Sequence, residues 1–284
     1  MKSKSIIFGT FLSIFIFSNT HAQFNLGDKA LGAIQKGVSG LTFSDADAAA
    51  LSKSAVDKLD VDSKPASSTD SYSIRLNKIF GKHKNENGLV LNYKVYLTKD
   101  INAFATADGS VRVFSGLMDV MDDNELLAVI GHEIGHVANH DSRDAMKAAY
   151  RKEALIDLAA SQSSKVAAIT DSQLGKLGST MIDSKHSRKQ ESEADSYSYD
   201  FMKRNGYNVN AVESAFSILA KMSAGTNASF LDRMMSSHPD SQERADNAKK
   251  RAESDGLYKP YEKQIPEVIN VKKEVTKKVV KKKK

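Results

Sequence analysis

The clearest pattern of hydrophobic and polar positions lies near the middle of the chain, where apolar residues recur every three or four positions. This spacing places them on one face of a predicted helix: Leu126, Leu127, Ile130, Ile134 and Val137. Asp122 can cap the start of that helix, and Glu125 can complete a capping box. Gly131 and Gly135 each cost roughly 1 kcal/mol relative to alanine inside a helix. Such exceptions indicate close approach of another backbone or a function.

Weaker helical patterns flank this segment. Residues 23–60 predict one or two helices with Ser44 as a cap, and the polar stretch 62–70 is typical of a linker. A short helix over 71–80 and a turn over 81–88 follow. Further helices are predicted from His140 to about Ser184, from Ser187 to Asn205 with Gly206 at its end, and from about Ser241.

Three short segments before the central helix have strand character: Val90–Leu97, Asn102–Thr106 and Val111–Phe114. Asp108-Gly109 is a turn signal that predicts a hairpin between the last two strands. A small sheet at this point could bind an extended peptide along its edge through backbone hydrogen bonds. The plainer interpretation is that the hairpin covers the core, and the two are compatible.

The first 22 residues are typical of a secretory signal peptide. Lys2 and Lys4 precede an apolar run from Ile6 to Phe17, and Thr20-His21-Ala22 is a cleavage signal. A run of about 12 residues is short for a bilayer span, so cleavage after Ala22 is favoured over an uncleaved anchor. The chain contains no cysteine, which excludes disulfides and lipidation at cysteine. We therefore expect an exported, periplasmic protein.

The net charge of +6 is concentrated at the C-terminus. Residues 271–284 carry 8 Lys and one Glu, or +7, so the rest of the chain sums to about −1. This distribution argues against a nucleic-acid-binding body, which would carry excess positive charge to follow phosphates. The lysine run is typical of a solvated, disordered end. Attraction to acidic lipid head groups, as at an outer membrane, or to an acidic partner is the sharper hypothesis.

The central helix contains His132-Glu133-Ile134-Gly135-His136, a His-Glu-x-x-His motif. Chance predicts roughly 0.007 such matches in a chain of this composition, so two unrelated surface histidines are a weak alternative. Histidines four residues apart share a helix face and can bind one metal ion. Glu133 would lie beside that ion as the general base for a bound water.

A catalytic zinc site needs a third protein ligand. Glu191 and Asp195 share a face of the helix predicted from Ser187, so one can bind the metal while the other accepts a hydrogen bond from a ligand histidine. A solvated acidic face is the alternative for these residues. His140 is another candidate, but it lies about 12 Å along the helix from His132 unless the helix breaks at Asn139.

These motifs carry a resemblance. His-Glu-x-x-His followed some 55 residues later by Glu-x-x-Ala-Asp resembles the zinc metallopeptidase family that includes HtpX, BepA, LoiP and the CAAX prenyl proteases, most of all its small periplasmic LoiP-like members. The likeness covers roughly residues 70–255, including Gly116-Leu117-Met118-Asp119 and His238-Pro239-x-Ser241-x-x-Arg244. LoiP-like proteins resemble lipoproteins, whereas this chain has no cysteine to lipidate.

The resemblance implies an α+β, mostly helical, zincin-like metallopeptidase fold with a small β-sheet before the His-Glu-x-x-His helix. The predicted divisions are a signal peptide (1–22), an N-terminal helical region and linker (23–70), the peptidase domain (71–256) and a disordered lysine-rich tail (257–284). It also implies one zinc ion per chain held by His132, His136 and Glu191, with Asp195 behind them. His238 or Arg244 would donate to the developing oxyanion, or His238 would fill the fourth metal position.

The expected activity is a zinc-dependent endopeptidase in which Glu133 is the catalytic base, acting on unfolded or misfolded envelope proteins. One alternative is a zincin-fold binding or chaperone module with little turnover. Another is a metallohydrolase acting on other bonds. The intact motif favours catalysis, and the sheet edge and export favour protein substrates.

Overall fold

The computed structural model describes residues 44–86, 88–160, 169–225 and 234–264. The predicted signal peptide, residues 23–43 and the lysine run 271–284 lie outside these ranges. None of the helices within them is long and apolar enough to span a bilayer.

The described chain is mostly helical, with five short strands before the central helix. Its elements are α1 (Asp45–Ser63), α2 (Ser71–Phe80), β1 (Asn85–Glu86), β2 (Leu89–Val90), β3 (Asn92–Tyr96), β4 (Ala103–Ala105), β5 (Ser110–Phe114), α3 (Ser115–Val120), α4 (Asp123–Ala138), α5 (Asp141–Ala160), α6 (Asp171–Ile182), α7 (Arg188–Arg204), α8 (Asn210–Gly225) and α9 (Ser241–Ser254). The α+β, mostly helical prediction is confirmed.

The main sheet has three strands in the order β3-β5-β4. The predicted hairpin is confirmed: β4 pairs antiparallel with β5, and Gly109 in the turn has φ 83°. Strand β3 pairs parallel with β5, which the sequence pattern did not predict. Val90 belongs instead to β2, which pairs with β1 in a separate two-stranded ribbon across the predicted turn 81–88. Strand β4 is therefore an edge strand beside α4.

Helix α4 lies in the largest apolar cluster that the described residues form. Its start has the predicted capping box between Asp122 and Glu125. A Cβ on Gly135 would lie 3.0 Å from the Ala194 backbone of α7, and one on Gly131 would lie 3.0 Å from the Phe201 ring. The two glycines therefore allow α7 to pack directly against α4, which explains the cost that they carry in a helix.

Helices α1, α5 and α6 form a second layer with its own apolar cluster: Ala48, Leu51, Ala55, Met146, Ala149, Tyr150, Leu174 and Leu177. Helix α1 is also attached to the sheet through Asp60. Its carboxylate accepts hydrogen bonds from Lys94 Nζ at 2.6 Å, Tyr96 OH at 2.8 Å and Arg112 Nε at 2.8 Å. Because Arg112 is buried, this ion pair fixes α1, and with it α6, over the outer face of the sheet.

The chain after α9 runs back to the start of α4. Tyr261 OH donates to Asp122, the backbone N–H of Gln264 donates to the same carboxylate at 2.8 Å, and Lys263 Nζ lies 2.8 Å from the buried Glu125. We call residues 257–264 the C-terminal strap. The predicted tail boundary at residue 257 was placed too early, because these hydrogen bonds hold the chain against the core through residue 264.

Candidate metal centre and active site

The structure brings four predicted site residues together from three parts of the chain. Helix α4 provides His132 and His136, α7 provides Glu191, and the loop before α9 provides His238. His136 Nε2 lies 3.0 Å from His132 Nε2 and 3.3 Å from Glu191 Oε1. His238 Nδ1 lies 3.0 Å from Glu191 Oε1 and 3.3 Å from His132 Nε2. All four side chains are buried, and together they could hold a metal ion; we call them the ligand group.

Each helix histidine of the ligand group has a carboxylate behind it. His132 Nδ1 lies 2.8 Å from Asp195 Oδ1, and His136 Nδ1 lies 2.9 Å from Asp141 Oδ2. A hydrogen bond at Nδ1 leaves the Nε2 lone pair free for a metal. Asp195 therefore lies where the sequence predicted. Asp141 was missed, and its only signal was its place three residues after the end of α4.

Arg244 does not present a free donor in this structure. Its guanidinium contacts Asp195 Oδ1 at 2.6 Å and Glu191 Oε2 at 2.8 Å, and the residue is 6% exposed. It also lies 4.0 Å from the centre of the Phe216 ring. The geometry favours a role in holding the two carboxylates rather than the predicted donation to substrate.

Glu133 lies next to the ligand group but outside it. Its side chain is buried, and its Oε1 has no hydrogen-bond partner among the described residues; His238 Nε2 is 3.6 Å away. Burial raises the pKa of Glu133, which makes the carboxylate a better proton acceptor. An unpaired buried carboxylate oxygen is costly in a folded protein and is typical of a functional site.

The pKa values of the two helix histidines, His132 and His136, are shifted in opposite directions. Burial, the nearby Arg244 guanidinium and His136 lower the pKa of His132 to about 3. Burial would also lower the pKa of His136, but hydrogen bonds to Asp141 and Glu191 raise it to about 9. A ligand imidazole must be neutral, so a cation bound here would compete with the proton on His136.

A narrow cavity of about 20 Å³ lies beside Glu133 and His136. Its wall includes strand β4, the end of α6 and a residue that the sequence analysis did not single out, His186. Ala105 O on β4 accepts a hydrogen bond from Ser142 Oγ at 2.9 Å. His140 is exposed with φ 68° and is not part of the ligand group. Because the cavity measures only about 20 Å³, it has no room for a peptide in this structure. Peptide binding along β4 therefore stays a prediction.

Known proteins share this arrangement in sequence. The profile of peptidase family M48 matches residues 81–252. Metalloprotease LoiP of Escherichia coli (strain K12) is 42% identical over 217 residues, which cover 76% of this chain and 84% of LoiP. Metalloprotease YcaL of the same organism is 42% identical over 214 residues, 75% of this chain and 83% of YcaL.

A more distant relative is a putative beta-barrel assembly-enhancing protease of Vibrio cholerae serotype O1. It is 30% identical over 161 residues, 54% of this chain and 33% of that protein. The M48 match spans strands β3–β5, α4 and α7, and so contains the ligand group and Glu133. The resemblance found in the sequence motifs is thus confirmed, and the chain belongs to peptidase family M48, whose members are metal-dependent peptidases.

Proposed function

We propose that this protein is a zinc-dependent endopeptidase that cleaves unfolded or misfolded proteins of the cell envelope. The observation that carries the proposal is the ligand group of His132, His136, Glu191 and His238, with Glu133 beside it, whose Oε1 has no hydrogen-bond partner among the described residues. Metal-dependent peptidase chemistry follows from the family. The choice of zinc, cleavage inside a chain and the site of action are the proposed steps.

The spacing of the ligand group supports zinc. Four atoms at the corners of a tetrahedron around an ion with bonds of 2.0–2.1 Å lie about 3.3 Å apart. Four separations within the ligand group run from 3.0 to 3.3 Å, and His132 Nε2 lies 3.5 Å from the other Glu191 oxygen, Oε2. Imidazole nitrogens with one carboxylate also form a donor set that zinc prefers over magnesium or calcium. Bound zinc would act as a Lewis acid and activate water near neutral pH.

Glu133 would move the proton in this reaction. It lies within the cavity beside the ligand group, and burial raises its pKa, so it can accept a proton from the attacking water and pass it to the leaving amine. His136 and its partner Asp141 would hold one ligand in place, while Asp195 and Arg244 would do the same for His132 and Glu191.

His238 occupies the fourth corner of the ligand group, which supports the inhibitory version of its predicted role. We propose that this arrangement is a resting state and that His238 leaves when substrate binds. His238→Ala should then raise turnover at unchanged zinc content. A fall in turnover would instead indicate that His238 donates to the substrate.

We infer the substrate class from the edge strand β4, the narrow cleft beside it and the predicted signal peptide. The edge strand β4 beside α4 suits an extended chain, and a folded domain could not enter so narrow a cleft. The predicted signal peptide supports export to the periplasm. The V. cholerae relative is named a putative beta-barrel assembly-enhancing protease, and this name supports envelope proteins as substrates. The lysine tail would attract anionic lipid near these substrates.

The test is cleavage of an unfolded, fluorescently labelled substrate by purified protein. Glu133→Gln should keep its zinc and fold but lose at least about 100-fold in turnover, the scale of general-base catalysis. Glu193→Gln is the matched control because Glu193 is exposed on α7 and pairs only loosely with Lys189, at 3.7 Å. A chelator should abolish wild-type cleavage, and zinc should restore it. Turnover of Glu133→Gln within a few-fold of wild type would remove Glu133 as the base and favour a different mechanism.

A further inference from the structure

We propose that His186 is a further catalytic residue, whose ring N–H donates a hydrogen bond to the carbonyl oxygen of the scissile peptide. The proposal rests on the peptidase function proposed above. His186 belongs to none of the motifs that indicate the metal centre. It is assigned here from its place in the structure alone.

The position of His186 is held from two sides of the active site. It directly precedes Ser187, the N-cap of α7, whose side chain and that of Gln190 form a capping box. Its backbone N–H donates to Ser237 O at 3.3 Å, in the loop that ends at His238. His186 is therefore attached both to the helix that carries Glu191 and to the loop that carries His238.

The imidazole of His186 covers one face of the ligand group. It stacks on the His136 ring with 3.8 Å between centroids and 15° between planes, and its centroid lies 5.4 Å from that of His238. Stacking gives the faces of the ring a contact, but it does not provide a hydrogen-bond partner for the nitrogens at the ring edge. No hydrogen bond to either ring nitrogen is present within the described residues. His186 therefore has a ring N–H with no hydrogen-bond partner among these residues, although one of its ring nitrogens lies within 4.8 Å of ligand atoms of His136 and Asp141.

The His186 side chain lines the cavity in which we expect a peptide to react. His186 and Glu133 line the same cavity, with strand β4 as another of its walls. A peptide extended along β4 that enters this cavity would have both Glu133 and His186 in the surrounding wall. We therefore place its reacting carbonyl near these two side chains.

The other candidate donors are already engaged. Arg244 contacts Asp195 and Glu191, and His238 Nδ1 lies within the ligand group. A carbonyl oxygen that gains negative charge in the transition state is stabilised strongly by a positioned donor. In the arrangement seen here, His186 alone of the three side chains could donate without breaking a contact, whereas His238 would become available only after it leaves the ligand group.

Opening of the cleft need not displace His186. The cavity is too small for a peptide, so part of its wall must move. The end of α6, Met181 and Ile182, forms another part of that wall and is separated from α7 by the turn 183–187. Because His186 adjoins the capped start of α7, we place the movement in the residues before it and, as proposed above, in His238.

The experiment separates donation from stacking. His186→Phe keeps an aromatic ring against His136 but has no N–H, whereas His186→Gln keeps an N–H but loses the ring. His140→Asn is the control histidine, since His140 is exposed and asparagine tolerates its positive φ. The measurements are kcat, KM and zinc content with a labelled peptide, and affinity for a phosphinic peptide that mimics the tetrahedral transition state.

Donation predicts a kcat loss of about 100-fold in His186→Phe, the scale found for one such donor, with KM within a few-fold and zinc retained. Affinity for the phosphinic peptide should fall by a similar factor, and His186→Gln should recover part of kcat. Two results would overturn the proposal in favour of stacking. One is a wild-type kcat in His186→Phe. The other is loss of zinc in His186→Gln while the kcat per bound zinc stays unchanged. An inactive wild type would overturn the proposed function and this inference together, whereas an active wild type with active variants would overturn only this one.

Discussion

Replacing Arg244 by methionine removes the positive charge that lies between two carboxylates of the active site while keeping an unbranched apolar side chain. Asp195 and Glu191 would be left buried without the guanidinium that contacts both at 2.6 and 2.8 Å. Arg251→Met is the matched control. Arg251 lies on the same helix, contacts Asp200 at the same distance of 2.6 Å and also lies over an aromatic ring, but this pair is 36% and 54% exposed.

The expected magnitude follows from burial. Breaking a buried ion pair by removing one partner costs about 3–5 kcal/mol, whereas an exposed pair contributes about 0.2–1 kcal/mol. The pKa of Asp195 shows that Arg244 stabilises the buried carboxylate in its charged form. Burial alone would raise this pKa, yet Arg244 and His132 together lower it to about 2.

Urea unfolding of the metal-free proteins at pH 7, followed by circular dichroism, measures both variants. Arg244→Met should lose about 3–5 kcal/mol in the free energy of unfolding at unchanged m-value, and Arg251→Met less than about 1 kcal/mol. Zinc should recover part of the Arg244→Met loss, since a bound cation supplies positive charge beside Glu191. A loss in Arg244→Met no larger than in Arg251→Met would refute the positioning role and return Arg244 to the role of substrate donor.

Three further predictions concern other parts of the molecule. Glu191→Ala should lower zinc content measured by mass spectrometry while Glu193→Ala should not, and the reverse would move the third ligand. Truncation after Asn270 should leave cleavage of a soluble peptide unchanged but weaken binding to anionic vesicles in a salt-dependent way, so loss of cleavage would place the tail in the catalytic unit. Burial alone would raise the pKa of Asp60, but hydrogen bonds, first that from Arg112, lower it. The Asp60 carboxylate therefore stabilises the fold above about pH 4, and this contribution is lost as the pH falls below that value. Urea unfolding between pH 5 and 2.5 should therefore show a shallower acid loss in Asp60→Asn than in wild type, and equal slopes would contradict this assignment.

Features that depend on neighbours along the chain were predicted well. The Asp122–Glu125 capping box, the Ser44 cap of α1 and the bounds of α2 all follow from residues a few positions apart. The spacing of His132 and His136 is likewise a property of one helix. Gly135 was recognised as an exception, although its partner Ala194 could not be named from the sequence.

Features that depend on distant parts of the chain were missed. The parallel pairing of β3 with β5 joins segments that are not consecutive strands of a hairpin. Arg244 has the charge of a substrate donor, and only the fold shows that two carboxylates hold it. His186 gave no signal because its stacking on His136 depends on how α7 packs against α4. The tail boundary was misplaced because Tyr261 bonds to Asp122, 139 residues earlier.

The C-terminal strap has a consequence for anyone who labels or immobilises this protein. A fusion partner joined directly after residue 264 would begin beside Asp122, at the foot of the helix that carries His132 and His136. A bulky or tightly tethered addition there could pull Gln264 and Tyr261 away and expose the carboxylates of Asp122 and Glu125 at the start of α4. A purification tag is therefore better separated from residue 264 by a long flexible linker, or by the natural residues 265–284, before activity measurements are compared.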